Sequence, residues 1–339
     1  MTFRNFLSHL TGRAGSAAQP FPAFVATIPR SGTWWYRYAF HTLHESVTTG
    51  AEPDVPLLYP RTTKAGNFDF SASLSITPFA VDHFSYALLD RISGANTTLW
   101  KDLGTRNAHL AEFRRNLVPG LEQYDLTRFP KAKAVFIYRN PFDHLISLIQ
   151  QMAREEVHRA RSWHITMIID RLGLNADGYT DWKTAFPLSA FETSGMLDSY
   201  IDQMFSFHEL QRQMPRRVLL VPFAAMEADP YAGFQRILAF LLGEEKANAI
   251  DPHIRRTVDL TSKKRMQEYE VRLGHSLSKP LEAPVETAMK THIHTDPRTP
   301  WQERFDRQTI ATVARRFTEA GLPFSLFEPD VAAALREAA

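Results

Sequence analysis

KAKAVFIYRNPFDHLISLIQQM, residues 131–152, restricts the fold more than any other stretch of the chain. Ala134 to Tyr138 form an unbroken apolar run of strand length, and a helix start follows at once. Asn140 is a good N-cap, and Pro141 is suited to a first helical position because its missing N–H would have no intrahelical partner there. The same order recurs elsewhere. Phe24 to Ile28 reads as a buried strand followed by a helix over Thr33 to Leu43, and Val218 to Val221 as a strand followed by a helix from Pro230 that Gly243 stops. Strands alternating with helices predict an α/β fold with a mainly parallel central sheet flanked by helices.

The remaining segments are less regular. Ile76 to His83 is a weaker strand, interrupted by Pro78, and His109 to Leu117 has helical spacing that ends at Pro119-Gly120. Residues 50–75 and 278–300 are rich in proline and read as long connections. The tail is expected to be helical from Phe305 to Phe317 and from Asp330 onward. The organisation expected is one domain over residues 21–339, preceded by a segment at 1–20. MTFRNFLSHLTGR spaces Phe3, Phe6, Leu7 and Leu10 as a membrane-surface helix would, but a first helix docked on the domain is the favoured reading.

Composition removes several classes of function. A chain of 339 residues with 44% apolar and 22% charged residues can bury a large core. Without cysteine there can be no thiolate zinc site, iron–sulfur cluster, cysteine nucleophile or disulfide. A net charge of +2 argues against a general nucleic-acid binder and leaves room for one concentrated basic pocket. No apolar run reaches the ~18 residues of a membrane span and no secretory apolar region opens the chain, so a soluble, cytoplasmic protein is expected. His292 and His294 are two residues apart but lack carboxylates at ligand spacing, so no metal site is expected.

TIPRSGTWWYRY, residues 27–38, places a short glycine-containing turn between a strand and a helix. Such a turn aims free backbone N–H groups at an anion; Arg30 adds charge, Ser31 and Thr33 add hydroxyls, and Gly32 permits close approach. It is not a Walker loop, since Thr27 stands where the first glycine belongs and Thr33 where the lysine would be. An ordinary turn carrying a surface arginine fits these residues equally well. YRNPFDHLIS tips the balance. Arg139 ends a strand, where the start of the following helix slightly disfavours a cation, and Ser147 lies seven residues after Asn140, nearly on one helix face. Two anion-binding turns at the carboxyl ends of strands imply a ligand with two separate phosphates.

PRSGTWW resembles the 5′-phosphosulfate loop of the sulfotransferases that use 3′-phosphoadenosine-5′-phosphosulfate (PAPS), and YRNPFDHLIS resembles their 3′-phosphate segment. Further likeness lies in VLLVPFAAMEADPYAGFQRILAFLLG, in TSKKRM at 261–266 and in WQERF at 301–305, so that the resemblance runs from about residue 23 to about 320. It implies that Arg30 contacts the 5′-phosphate and bridging oxygen, with Ser31, Gly32 and Thr33 holding the same phosphate. Trp35 falls on the adenine-stacking tryptophan, and Trp34 replaces a threonine. Arg139 and Ser147 match the pair that grips the 3′-phosphate; Thr261 lies beside the adenine, with Lys263 replacing an aromatic. Where the family has Arg-Lys-Gly this chain reads HTDPRTPW, leaving Arg298 as the basic residue.

Sulfuryl transfer needs a base for the acceptor proton, and histidine suits it because its ordinary pKa of ~6.5 lies near neutral pH. Two histidines compete. His83 follows a strand-like run and is preferred over His109, which sits inside a helical pattern. The expected reaction moves the sulfuryl group of PAPS to a hydroxyl or amine of a small-molecule, lipid or glycan acceptor and releases adenosine 3′,5′-bisphosphate, with no metal. Aromatics such as Tyr59, Phe68, Trp100, Trp163 and Trp182 in the segments outside the shared motifs favour an aromatic or lipid-like acceptor over a long acidic polysaccharide. The competing readings are a non-catalytic nucleotide-binding protein of the same fold and an ATP-dependent phosphotransferase.

Overall fold

The computed structural model describes residues 23–28, 31–50, 80–82, 133–147, 196–273 and 300–339. Its strands, β1 (Ala23–Thr27), β2 (Ala80–Asp82), β3 (Lys133–Tyr138) and β4 (Val218–Pro222), form one sheet in the order β2-β1-β3-β4. Every neighbouring pair is parallel: Val25 stands opposite Val81 on one side and Val135 on the other, and Ile137 opposite Val221. The chain leaves β1 for β2 at one edge, then returns to β3 on the other side of β1. That reversal makes the carboxyl ends of β1 and β3 the two walls of a crevice, the place where open α/β sheets bind ligands.

The helices are α1 (Thr33–Thr49), α2 (141–147), α3 (Met196–Gln213), α4 (Phe223–Ala228), α5 (Pro230–Leu242), α6 (Glu244–Ala249), α7 (Asp251–Leu260), α8 (Lys263–Leu273), α9 (Arg307–Glu319) and α10 (Pro329–Ala338). They cover both faces of the sheet because β3 is apolar from Ala134 to Tyr138 and successive side chains of a strand point to opposite sides. Val135 and Ile137 join Val25, Val221, Tyr36, Phe40, Phe234 and Ile254 in one buried cluster. Phe136 takes the other face and stacks on Phe207 of α3, ring centroids 4.0 Å apart and ring planes nearly parallel. Tyr138 donates its hydroxyl to the Leu326 carbonyl at 2.5 Å, which ties the C-terminal segment to the end of β3.

The parallel α/β fold inferred from the strand–helix alternation is present, with local differences. α1 continues past Leu43 to Thr49, where Gly50 stops it with φ 68° and an N–H bonded to the Ser46 carbonyl; its last residues are weak helix formers, which hid the extension. β2, Ala80–Asp82, lies within the weaker strand expected over Ile76 to His83, whose other residues fall outside the described residues. α9 starts at Arg307 rather than Phe305 because the Asp306 carboxylate accepts the Thr309 N–H at 2.7 Å. The segment 1–20, the helix expected at His109 to Leu117, and nearly all of the connections expected at 50–75 and 278–300 lie outside the described residues.

Candidate active site

The turn after β1 is built by backbone bonds. Ile28 N–H reaches the Ile137 carbonyl at 3.0 Å, carrying the β1–β3 ladder one residue further, and Ser31 N–H closes back on the Ile28 carbonyl at 3.0 Å. Gly32 then caps α1 with φ 82° and ψ 21°. A Cβ at that position would lie 2.6 Å from Phe223 Cε2. Both the left-handed backbone and the contact therefore require glycine. No side chain caps α1 and its first turn contains no acidic residue, so no carboxylate of that turn offsets the positive end of the long helix dipole at the crevice. Ser31 is fully buried, and its Oγ has no hydrogen-bond partner among the described residues. Leaving such a hydroxyl unmade costs on the order of 1–3 kcal/mol, a cost that a bound anion would remove.

Arg139 stands at the matching place after β3. Its carbonyl accepts the Tyr200 hydroxyl at 2.6 Å, fixing the backbone from α3. Asn140 caps α2 as its residue type predicts: Oδ1 accepts the Asp143 N–H and Nδ2 donates to the Asp143 carboxylate, both at 2.9 Å. Phe142 of α2 stacks on Trp301 with centroids 4.6 Å apart, which seats the WQERF segment beneath the same turn. The Arg139 side chain is buried, and its guanidinium carbon sits 4.4 Å from the Phe223 ring centroid. One nitrogen lies 3.9 Å from a Glu227 carboxylate oxygen. Ser147 is buried further along α2.

Phe223 joins the two turns. Its edge meets Gly32 and its face carries Arg139. Trp35 packs edge-on against it at 6.2 Å and against Phe234 at 5.5 Å, so this tryptophan is half-buried and anchored in the core. The Tyr36 ring approaches the same point, its Cε2 3.4 Å from where a Gly32 Cβ would stand, and its hydroxyl is held well above the ordinary tyrosine range by burial first and then by the Glu227 charge, against the opposing pull of Arg139. Tyr36 therefore stays protonated and can only donate or accept as a neutral hydroxyl.

Gly32, Trp35 and Arg139 thus converge around one aromatic ring, and Ser31 precedes Gly32 in the same turn. Thr33 and Trp34 open α1. Thr261 is fully buried at the end of α7, donating its hydroxyl to the Thr257 carbonyl at 2.8 Å, and Lys263 is exposed at the start of α8. α7 packs along α1, with His253 at its start bonded to Ser46 at 2.8 Å. Arg30, His83, His109 and Arg298 fall outside the described residues; β2 ends at Asp82, the residue before His83.

Four site-shaping residues escaped the reading of the sequence: Tyr36, Tyr200, Phe223 and Glu227. Phe223 could have been found, because it follows β4 as the two turns follow β1 and β3, and the same rule about carboxyl ends applies to it. Tyr36 carried no signal, since an aromatic one turn into a helix is ordinarily core.

The chain matches the model of the sulfotransferase domain family over residues 21–320. It belongs to that family. Among solved structures it is similar to the mouse sulfotransferase SULT7A1 complexed with PAP, at 16% identity and a TM-score of 0.42, covering 100% of this chain and 95% of that one. No curated protein matches. Among the described residues no group of three or more His, Cys, Asp or Glu could hold a metal ion, and no helix is long and apolar enough to cross a membrane.

Proposed function

We propose that this protein transfers the sulfuryl group of PAPS to a hydroxyl or amine of a small-molecule, lipid or glycan acceptor. The observation that carries the reading is the convergence of the Gly32 turn and Arg139 on Phe223, because it sets an uncapped helix start and a buried cation beside each other at the switch between β1 and β3. Such a crevice suits a nucleotide with phosphates at two positions. The buried Ser31 hydroxyl fits the same group, as it has no partner among the described residues.

The donor supplies an activated S–O bond to its own 5′-phosphate. Arg30, Ser31, Gly32 and Thr33 hold that phosphate and offset the charge that grows on it as the bond breaks. Arg30 acts electrostatically, since a guanidinium does not give up its proton. Arg139 and Ser147 hold the 3′-phosphate, Trp35, Thr261 and Lys263 flank the adenine, and Arg298 adds charge near the 3′ side. His83 takes the proton of the acceptor as its oxygen or nitrogen bonds to sulfur, leaving adenosine 3′,5′-bisphosphate. Supporting this role, β2 ends one residue before His83 and runs parallel to β1, so its carboxyl end belongs to the same edge of the sheet.

Turnover of PAPS over a panel of acceptors, in the wild type and His83→Ala, tests the proposal. Transfer should occur and should fall by about 100-fold or more in the variant with binding of adenosine 3′,5′-bisphosphate retained, in line with the loss of a general base. Equal loss of binding and turnover would remove His83 from that role; nucleotide binding without transfer to any acceptor would favour a non-catalytic member of the family.

A further inference from the structure

We propose that the Tyr36 hydroxyl donates a hydrogen bond to the phosphate held by Arg139, as an additional nucleotide ligand contributed from the first turns of α1. The inference rests on the reading of Arg139 as the 3′-phosphate ligand. Tyr36 is fully buried, yet its Oη has no hydrogen-bond partner among the described residues. Its Cε2 lies 3.4 Å from the point where a Cβ on Gly32 would stand, and Phe223 Cε2 lies 2.6 Å from that same point. The Phe223 ring in turn carries the Arg139 guanidinium at 4.4 Å. One short path of contacts therefore runs from Tyr36 across Gly32 and Phe223 to Arg139. The charges of both Arg139 and Glu227 bear on the Tyr36 hydroxyl, and burial keeps it protonated, as a donor to an anion must be.

A purely structural role accounts for the ring but not for the oxygen. The ring packs on Trp35 and Phe234, with centroids 5.3 and 5.8 Å away, and a phenylalanine would make those contacts equally well. A hydroxyl retained in a core without a partner is unfavourable unless a bound group satisfies it. Two anions are candidates for that group: the phosphate of a ligand, and the Glu227 carboxylate, which already lies 3.9 Å from Arg139. The phosphate is favoured because Glu227 is two-fifths exposed and hydrated, whereas the Tyr36 oxygen faces inward.

The test uses the full chain with Tyr36→Phe, titrated calorimetrically with adenosine 3′,5′-bisphosphate and with adenosine 5′-phosphate, alongside thermal unfolding without nucleotide. The bisphosphate should bind about ten- to a hundredfold more weakly, the size of a hydrogen bond to a charged group, and the 5′-phosphate within about twofold of the wild type. The unfolding midpoint should stay level or rise, since an unpaired buried hydroxyl is being removed. A lower midpoint with unchanged bisphosphate affinity would overturn the inference by making the hydroxyl a structural partner of Glu227. Equal weakening of both ligands would also overturn it, by assigning the hydroxyl to the 5′ side. Arg139→Ala in parallel separates the two claims: if it leaves the preference for the bisphosphate intact, the reading of Arg139 itself has failed, whatever Tyr36→Phe does.

Discussion

The Arg139 guanidinium lies over the face of Phe223, 4.4 Å from the ring centroid, while the edge of the same ring presses on Gly32. A cation on an aromatic face gains about 0.5–2 kcal/mol, more when desolvated as here. The arrangement makes the geometry of the turn after β1 dependent on that of the turn after β3. Residues that belong to neither turn can therefore disturb both.

Phe223→Ala should cost about 3–5 kcal/mol of stability, the usual penalty for emptying an aromatic site in a core. Phe223→Leu should cost much less, under about 1.5 kcal/mol. Both should weaken adenosine 3′,5′-bisphosphate, because neither offers Arg139 a flat face. Chemical denaturation paired with calorimetry checks this; full affinity in Phe223→Leu would show that the ring does not orient Arg139.

Gly32→Ala combines a strained left-handed residue, about 1–2 kcal/mol, with a Cβ 2.6 Å from Phe223. Thermal unfolding should show a loss at least that large, and nucleotide affinity should drop because α1 can no longer start in the same place. An unchanged midpoint would mean that Phe223 moves aside without cost.

Tyr200→Phe removes the 2.6 Å bond to the Arg139 carbonyl while keeping the ring stacked on Phe317, whose centroid is 6.0 Å away. The orphaned carbonyl should cost about 1–3 kcal/mol. Affinity for the bisphosphate should fall further than affinity for adenosine 5′-phosphate, since only the Arg139 turn loses its support. Equal losses would make Tyr200 a general core residue.

Asp306 gives a pH signature. Hydrogen bonding from the Thr309 backbone holds its carboxyl below the ordinary range, so its contribution is complete above the unfolded carboxylate value of ~3.9 and is lost as pH falls through the lower folded value. Asp306→Asn keeps the cap and should flatten the acid side of the stability profile with little change at neutral pH. Asp306→Ala should cost about 1 kcal/mol at neutral pH. An unchanged acid limb in the asparagine variant would remove this assignment.

How much was legible in the sequence follows from what each feature depends on. The Asn140 cap, the Gly32 turn and the apolar runs of β3 and β4 are local, and local chemistry announces them. The strand order could be inferred only as a class, because pairing between β1 and β3 joins residues more than a hundred positions apart. Phe223, Tyr200 and Glu227 shape the Arg139 site from α3 and α4 through contacts between residues distant in sequence, 61 positions apart for Tyr200, which no spacing rule reports. Tyr36 sits inside the TIPRSGTWWYRY motif with no role legible there, since burial without a partner is a property of the folded state alone.

The central claim is that two turns hold a nucleotide by phosphates at two positions, and one comparison tests it most directly: calorimetric affinity for adenosine 3′,5′-bisphosphate against adenosine 5′-phosphate, in the wild type and Arg139→Ala. The wild type should prefer the bisphosphate by about a hundredfold, the scale of a buried charge-assisted contact, and Arg139→Ala should erase most of that preference. Equal affinities in the wild type, or a preference that survives the loss of Arg139, would contradict the account.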